Sequence, residues 1–308
     1  MQLEPSASAQ PLGAGVPGNP ATSSARGRRG GVPLMLVSGL SNQTGASLAS
    51  LAFPVLGPAG VVAVRQWVAA LVLVLVGRPQ LWRFSAAQWR VVLGLALVFA
   101  VMNLSLYAAI ERIGLGLAVT LEFLGPLAVA LLGSRRLANV LCATAAAGAV
   151  AVLVRPTPST DYGGIGLALL AALCWACYIL LNREVGSRVP GLEGSAAAAL
   201  VSGFLYLPVG AWVLWQNPPT VAVLGYALAA GVLSSAVPFL ADLLALRRIP
   251  AHSFSMFMSA NPVFAALIGF VALGQQLDAL AWLSIVVIVG ANIAALAVAQ
   301  RSTRGSRR

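Results

Sequence analysis

The sequence predicts an all-α integral membrane protein: ten transmembrane helices arranged as two inverted five-helix repeats, with both termini cytoplasmic. Three observations carry that expectation: the apolar composition, ten apolar runs of spanning length, and a match between the two halves of the chain. Apolar residues make up 59% of the 308 positions, and the 31 glycines raise the share to about 69%, against about 45–50% in globular domains. Only 9% of residues are charged, too few to coat a soluble protein. That composition excludes a soluble globular domain, a disordered chain and a secreted disulfide scaffold. Nineteen cations, all arginine, oppose eight acids for a net +11. They fall between apolar runs rather than on a polar face interleaved with aromatics, which argues against nucleic acid as a partner. Cys142, Cys174 and Cys177 all lie inside apolar runs, where thiols act as small hydrophobes.

Taken in order, residues 1–31 are rich in Pro, Ala, Ser and Gly and end in Arg26, Arg28 and Arg29. They are expected to be a disordered cytoplasmic tail, since a cleaved signal would place its basic residues before the apolar run. The first repeat is assigned to 32–155, the second to 156–300, and 301–308 to a basic cytoplasmic tail. A bilayer crossing takes about 20 residues, and the expected spans are 33–53, 58–77, 88–108, 113–133, 137–154, 164–182, 195–215, 221–245, 251–273 and 279–299. Gly57-Pro58, Gly77-Arg78-Pro79, Asn217-Pro218-Pro219 and Ile249-Pro250 supply turn chemistry between them. Positive residues are retained on the cytoplasmic side. With the N-terminus inside, sixteen arginines fall in inner segments, against Arg112 and Arg155 outside and Arg65 within the second span. A missed helix midway would scramble that bias, so the bias also checks the count.

At an offset of 136, residues 100–133 match 236–269 without gaps at ten of 34 positions, including Arg112 with Arg248, Ile113 with Ile249 and Pro126 with Pro262. Arg112 belongs to an expected outer turn and Arg248 to an inner one, so the copies face opposite ways. A five-helix unit, being odd, inverts when duplicated, and inverted repeats about a midplane site are a common plan of secondary transporters. A duplicated scaffold or sensor without transport is the alternative from another class. An enzyme is disfavoured, because neither a His-Glu-x-x-His motif nor a nucleophile and base set is present. No Walker-type loop points to ATP, and no ligand-spaced cluster points to a metal or other cofactor.

Charges near the bilayer centre cost about 2.5–3.5 kcal/mol on insertion scales and so need partners or water. Glu122 lies nine residues into the fourth expected span, about 13 Å deep at 1.5 Å per residue. Gly125 and Pro126 follow it and are expected to break the helix, freeing a carbonyl one turn back. Glu122 is thus either a substrate or proton site or half of a structural ion pair with Arg65, which lies at similar depth. Asp242, near an inner helix end, suits coupling or a salt bridge with Arg247. His252 suits a proton relay or a plain interfacial role. Asn42, Gln43, Asn103, Tyr107 and Asn261 add buried polar groups that either sketch a central pocket or join helices. Pro262 puts a second break level with Pro126. Trp175 and Tyr178 could offer ring faces to a cationic solute or simply pack.

Four stretches carry a family resemblance: Gly45-Ala46-Ser47-Leu48-Ala49 with Phe53-Pro54; Val119 to Leu131, containing Leu121-Glu122-Phe123-Leu124-Gly125-Pro126, followed by Ser134-Arg135-Arg136; Cys174-Trp175-Ala176-Cys177-Tyr178-Ile179-Leu180; and Leu233 to Leu246. The chain resembles the EamA-type members of the drug/metabolite transporter superfamily, nearest the threonine/homoserine exporter group. The resemblance implies a bacterial plasma-membrane carrier exporting small amino-acid-like metabolites by alternating access, against proton entry. An alternative within transport is a multidrug or organic-cation exporter. The implied partners are the bilayer, a small-molecule substrate and protons, with room for a homodimer. Asn261 and Gln275 stand where the family tends to place acids, which shifts any coupling onto Glu122, Asp242 or His252.

Overall fold

In the computed structural model, residues 20–132, 137–154, 161–189, 192–246 and 258–305 are described, and no strand occurs among them. The all-helical class expected from composition is what these residues form. Helix α1 runs Pro20–Gly77 and is parted at Gly57, whose φ of 60° and ψ of 172° no helix accommodates. Its apolar portion, Pro33–Gly77, has 45 residues. Straight, it would extend about 68 Å, more than twice the hydrocarbon thickness of about 30 Å, so the chain must turn within it. Glycine meets that need because positive φ costs it little.

Next come α2, Ala86–Ile113; α3, Leu115–Glu122; α4, Leu124–Leu132; α5, Leu137–Val154; and α6, Tyr162–Arg188. Then follow α7, Glu193–Leu205; α8, Leu207–Gln216; and α9, Val221–Gly231. A π-helical turn at Val232–Ala236 leads into α10, Val237–Leu246, and α11, Asn261–Leu273, precedes α12, Ala279–Gly305. Four stretches are each long and apolar enough to cross a membrane: Pro33–Gly77, Ala86–Ile113, Tyr162–Arg188 and Val221–Asp242. Helices α7 and α8 make a fifth when joined across their 41° bend. The bend has a local cause: Pro208 sits in the first turn of α8 and offers no N–H to the turn before it.

Two ends differ from expectation. Helix α1 begins at Pro20 and α12 continues to Gly305, into stretches assigned to tails. Proline suits a first helical turn, and the following alanines and arginines are good helix formers. Arg135, Arg136, Arg155, Arg247, Arg248 and His252 lie outside the described residues.

The bundle carries small residues inside and large ones outside. Ala49, Ala52, Ala63, Ala96 and Ala118 are fully buried, while Leu75, Trp82, Trp215 and Val271 are each more than half exposed. On a soluble domain such a surface would aggregate, whereas in lipid it is solvated and small interior residues let helices approach. Helix α2 packs on α6, α3 on α11, α5 on α12, and α1 on α7, α9 and α10. Polar caps close several helix starts: Ser85 and Gln88 form a reciprocal capping box on α2, and Thr220 caps α9. Asp161 caps α6 through the Gly164 amide and bridges Arg112 at 2.8 Å. The Arg112 hydrogen bond holds the Asp161 carboxyl below its ordinary range.

Candidate functional site

A cavity of about 180 Å³ lies among α1, α2, α3, α6 and α11. Its lining includes Asn42, Gln43, Arg65, Asn103, Tyr107, Glu122, Trp175, Tyr178 and Asn261. Residues as distant in sequence as Asn42 and Asn261 meet there, with Phe99, Met102, Leu106, Ile110, Val119 and Met258 supplying apolar wall.

Arg65 and Asn103 are held by local features of the chain. Arg65 projects from the second arm of α1 and donates through Nη1 to the Asn103 side-chain oxygen. Asn103 is oriented for this by its own amide, which donates to the Phe99 carbonyl one turn back at 2.7 Å. The Arg65 Nη2 donates to the Ser234 carbonyl at 3.2 Å. That carbonyl is available because Pro238, four residues on, has no N–H to offer it. The same proline leaves the Leu233 carbonyl, its partner in π-helical register, to the Ser41 hydroxyl at 2.7 Å. Ser234 in turn donates through its hydroxyl to the Asn42 carbonyl at 2.9 Å, tying the π turn to α1.

The Arg65 guanidinium lies 5.0 Å above the Tyr107 ring, a cation–π arrangement worth about 0.5–2 kcal/mol. Tyr107 is 1% exposed and sits edge-on to Phe53. Two buried polar atoms here have no hydrogen-bond partner, the Arg65 Nε and the Tyr107 hydroxyl.

Glu122 is the last residue of α3 and is buried. The helix breaks immediately after it, at Phe123 with ψ near −7°, two residues before the expected Gly125. Pro126 explains the shift, since its missing N–H leaves the Glu122 carbonyl without an α-helical partner and the turn forms around that gap. Gly125 has another function: a Cβ there would run into the Ala172 carbonyl of α6, so glycine sets the spacing of α4 and α6. Pro262 likewise does not interrupt a helix. It lies in the first turn of α11, and the break is the turn at Ser259–Ala260 before it. The Phe123 ring stands edge-on to Trp175 with centroids 4.6 Å apart, forming one wall.

The direct ion pair between Arg65 and Glu122, one of the two alternatives, does not form: among the described residues neither side chain has an oppositely charged group within 4.0 Å. Arg65 takes neutral acceptors instead. Asp242 lies outside the lining, and its Oδ1 is buried without a hydrogen-bond partner. His252 lies outside the described residues. A second cavity, of about 210 Å³, is lined by Leu73, Leu95, Asn182, Ser195 and Phe239, and it shares Phe99 and Tyr178 with the first. Those two rings lie 5.8 Å apart.

Sequence reasoning missed Ser234 and Gln275 as working parts. Pro238 after paired serines was the signal for the first. Gln275 accepts at 3.1 Å from the Leu115 amide at the start of α3, beside Gly114 at a φ of 83°. A glutamine can serve that amide as an acid would, so its presence has a structural reason.

The comparisons agree with the architecture. The EamA-like transporter family model matches residues 162–296. The threonine/homoserine exporter RhtA of Salmonella typhimurium is 35% identical over 267 residues, covering 84% of this chain and 89% of that protein. Its namesake in Escherichia coli strain K12 is 33% identical over 276 residues, covering 89% and 93%. A solved crystal structure 19% identical in sequence superposes with a TM-score of 0.56 over 88% of this chain and 98% of that one, a likeness of fold. An apolar helical bundle around a polar chamber, with relatives of this identity across nearly its whole length, places the chain in the EamA-like transporter family.

Proposed function

We propose that the protein is a plasma-membrane secondary transporter exporting amino acids of the threonine/homoserine type by alternating access, with proton entry as the driving step. The observation that carries the substrate class is the cavity itself. At about 180 Å³ it falls below the roughly 300–1,000 Å³ of drug-sized sites, and its lining holds one arginine and one carboxyl group with no ion pair between them. The names of the relatives point the same way. Glu122 is the coupling residue in this reading, because a carboxylate holding a proton cannot also hold a substrate ammonium as an ion pair.

Two inverted five-helix halves supply the alternation. The arginine bias supports them, and so does a pattern in the contacts. Gln66 donates to the Ser202 hydroxyl at 2.6 Å, and the Trp67 indole donates to the Gly203 carbonyl at 3.1 Å. Both pairs are 136 residues apart, the offset of the repeat. Residues beside a two-fold axis touch their own counterparts, which is what these pairs do. The same offset relates the turn at Phe123 to that at Ser259.

The rival reading is an organic-cation exporter, favoured by the Trp175 and Tyr178 ring faces beside Glu122. Arg65 in the same chamber opposes it, since a solute carrying only a positive charge would leave Arg65 unmatched. Counterflow in proteoliposomes with radiolabelled threonine, homoserine and a quaternary amine separates the readings. Threonine or homoserine should accumulate transiently against its gradient; accumulation of the amine alone would favour the rival, and none of any solute would favour a scaffold.

A further inference from the structure

We infer that Arg65 is the carboxylate anchor of a zwitterion clamp whose ammonium anchor is Glu122, so that the site selects solutes carrying a free α-carboxylate and a free α-ammonium together. This deepens the proposed function and rests on it. Four features of Arg65 carry the assignment. Its guanidinium lines the chamber, yet among the described residues it has no carboxylate within 4.0 Å. A partly buried cation without a counterion is costly, and a ligand anion removes that cost. Its Nη1 and Nη2 are fixed by neutral acceptors, Asn103 and the Ser234 carbonyl, which hold the group in place without discharging it. The Tyr107 face at 5.0 Å fixes the plane of the fork. The Nε–H is buried and has no partner in the protein, so a carboxylate that reached it would satisfy a donor the protein leaves free.

Glu122 supplies the opposite pole. No hydrogen bond to its carboxyl group occurs among the described residues, and the two residues line one chamber without an ion pair within 4.0 Å. An α-amino acid carries its two charges on adjacent groups and offers one to each. Asn103 and Ser234 are positioning residues, acting through Arg65. A monovalent cation would satisfy Glu122 and leave Arg65 unmatched. A monovalent anion would do the reverse.

The test is competition against radiolabelled threonine counterflow, using the full chain in proteoliposomes. Unlabelled threonine, threoninol, which lacks the carboxylate, and N-acetylthreonine, which lacks the ammonium, are the competitors. In the unaltered protein, threonine should compete at concentrations at least about tenfold lower than either analogue, as expected when one partner of a desolvated charge pair is removed. In Arg65→Gln, threonine exchange should fall at least about tenfold and the preference over threoninol should collapse, while Arg65→Lys keeps part of both. Threoninol competing as well as threonine in the unaltered protein overturns the clamp and leaves amino-acid export standing. Retained discrimination in Arg65→Gln overturns Arg65 as the anchor. Absence of threonine exchange in the unaltered protein overturns the proposed function and the clamp with it. The competition series in the unaltered protein decides the clamp even where neither variant folds.

Discussion

Glu122 was legible in the sequence because an acid inside an apolar run has no compositional reason to be there. Asn42, Gln43, Asn103, Tyr107, Trp175, Tyr178 and Asn261 were legible as polar or aromatic groups at mid-helix, and the cavity gathers all of them with Arg65. What could not be read was how Arg65 satisfies its donors. Depth alone suggested Glu122, whereas the acceptor it finds on the far chain is a backbone carbonyl 169 residues away, freed by Pro238. Backbone carbonyls do not show in a residue pattern unless a proline marks them. Glu122→Gln preserves shape and hydrogen-bonding capacity but removes the titratable charge. Proton-gradient-driven threonine transport should fall at least about tenfold with membrane insertion unchanged, because an amide neither carries the proton nor pairs with an ammonium. Unchanged gradient-driven transport in that variant, measured beside its insertion level, would remove Glu122 from the mechanism.

Proline and glycine mark helix breaks in the sequence, and the chain turns at neighbouring residues instead. Pro126 acts on the carbonyl four residues earlier, so the turn falls at Phe123; Pro262 opens a helix rather than bending one. Sequence gives the residue that cannot donate, but packing decides where the backbone turns. Gly125 was read as part of a break, yet its missing Cβ is what lets α4 lie against the Ala172 carbonyl of α6. The π turn at Val232–Ala236 carried no period of its own and became visible only through the hydrogen bonds it releases to Ser41 and Arg65. Gly125→Leu should therefore lower thermal stability and folded yield, by an amount of the order of 1–3 kcal/mol for overpacking. Fluorescence-detected size-exclusion chromatography after heating checks this; a melting midpoint equal to the unaltered protein would show that α4 and α6 are free to move apart.

For the whole molecule, class and membrane character followed from composition, since 9% charged residues cannot cover 308 in water. The arrangement of small residues inside and large ones outside required coordinates, because a run apolar all round reads alike on either face. Helix α1 illustrates the limit of periodicity: two helical arms follow each other with a single glycine, Gly57, at the kink. The proposed two halves rest on Arg112, Pro126 and their partners at an offset of 136. The contacts of Gln66 with Ser202 and of Trp67 with Gly203 add a reason to place an axis between them. The proposed alternating access depends on those halves facing opposite ways. Single cysteines introduced at 112 and 248 in a chain lacking Cys142, Cys174 and Cys177, and labelled in intact cells with a membrane-impermeant maleimide, measure this directly. The residue at 112 should react from outside and that at 248 only after the membrane is opened; equal labelling of both from the same side would contradict the inverted arrangement.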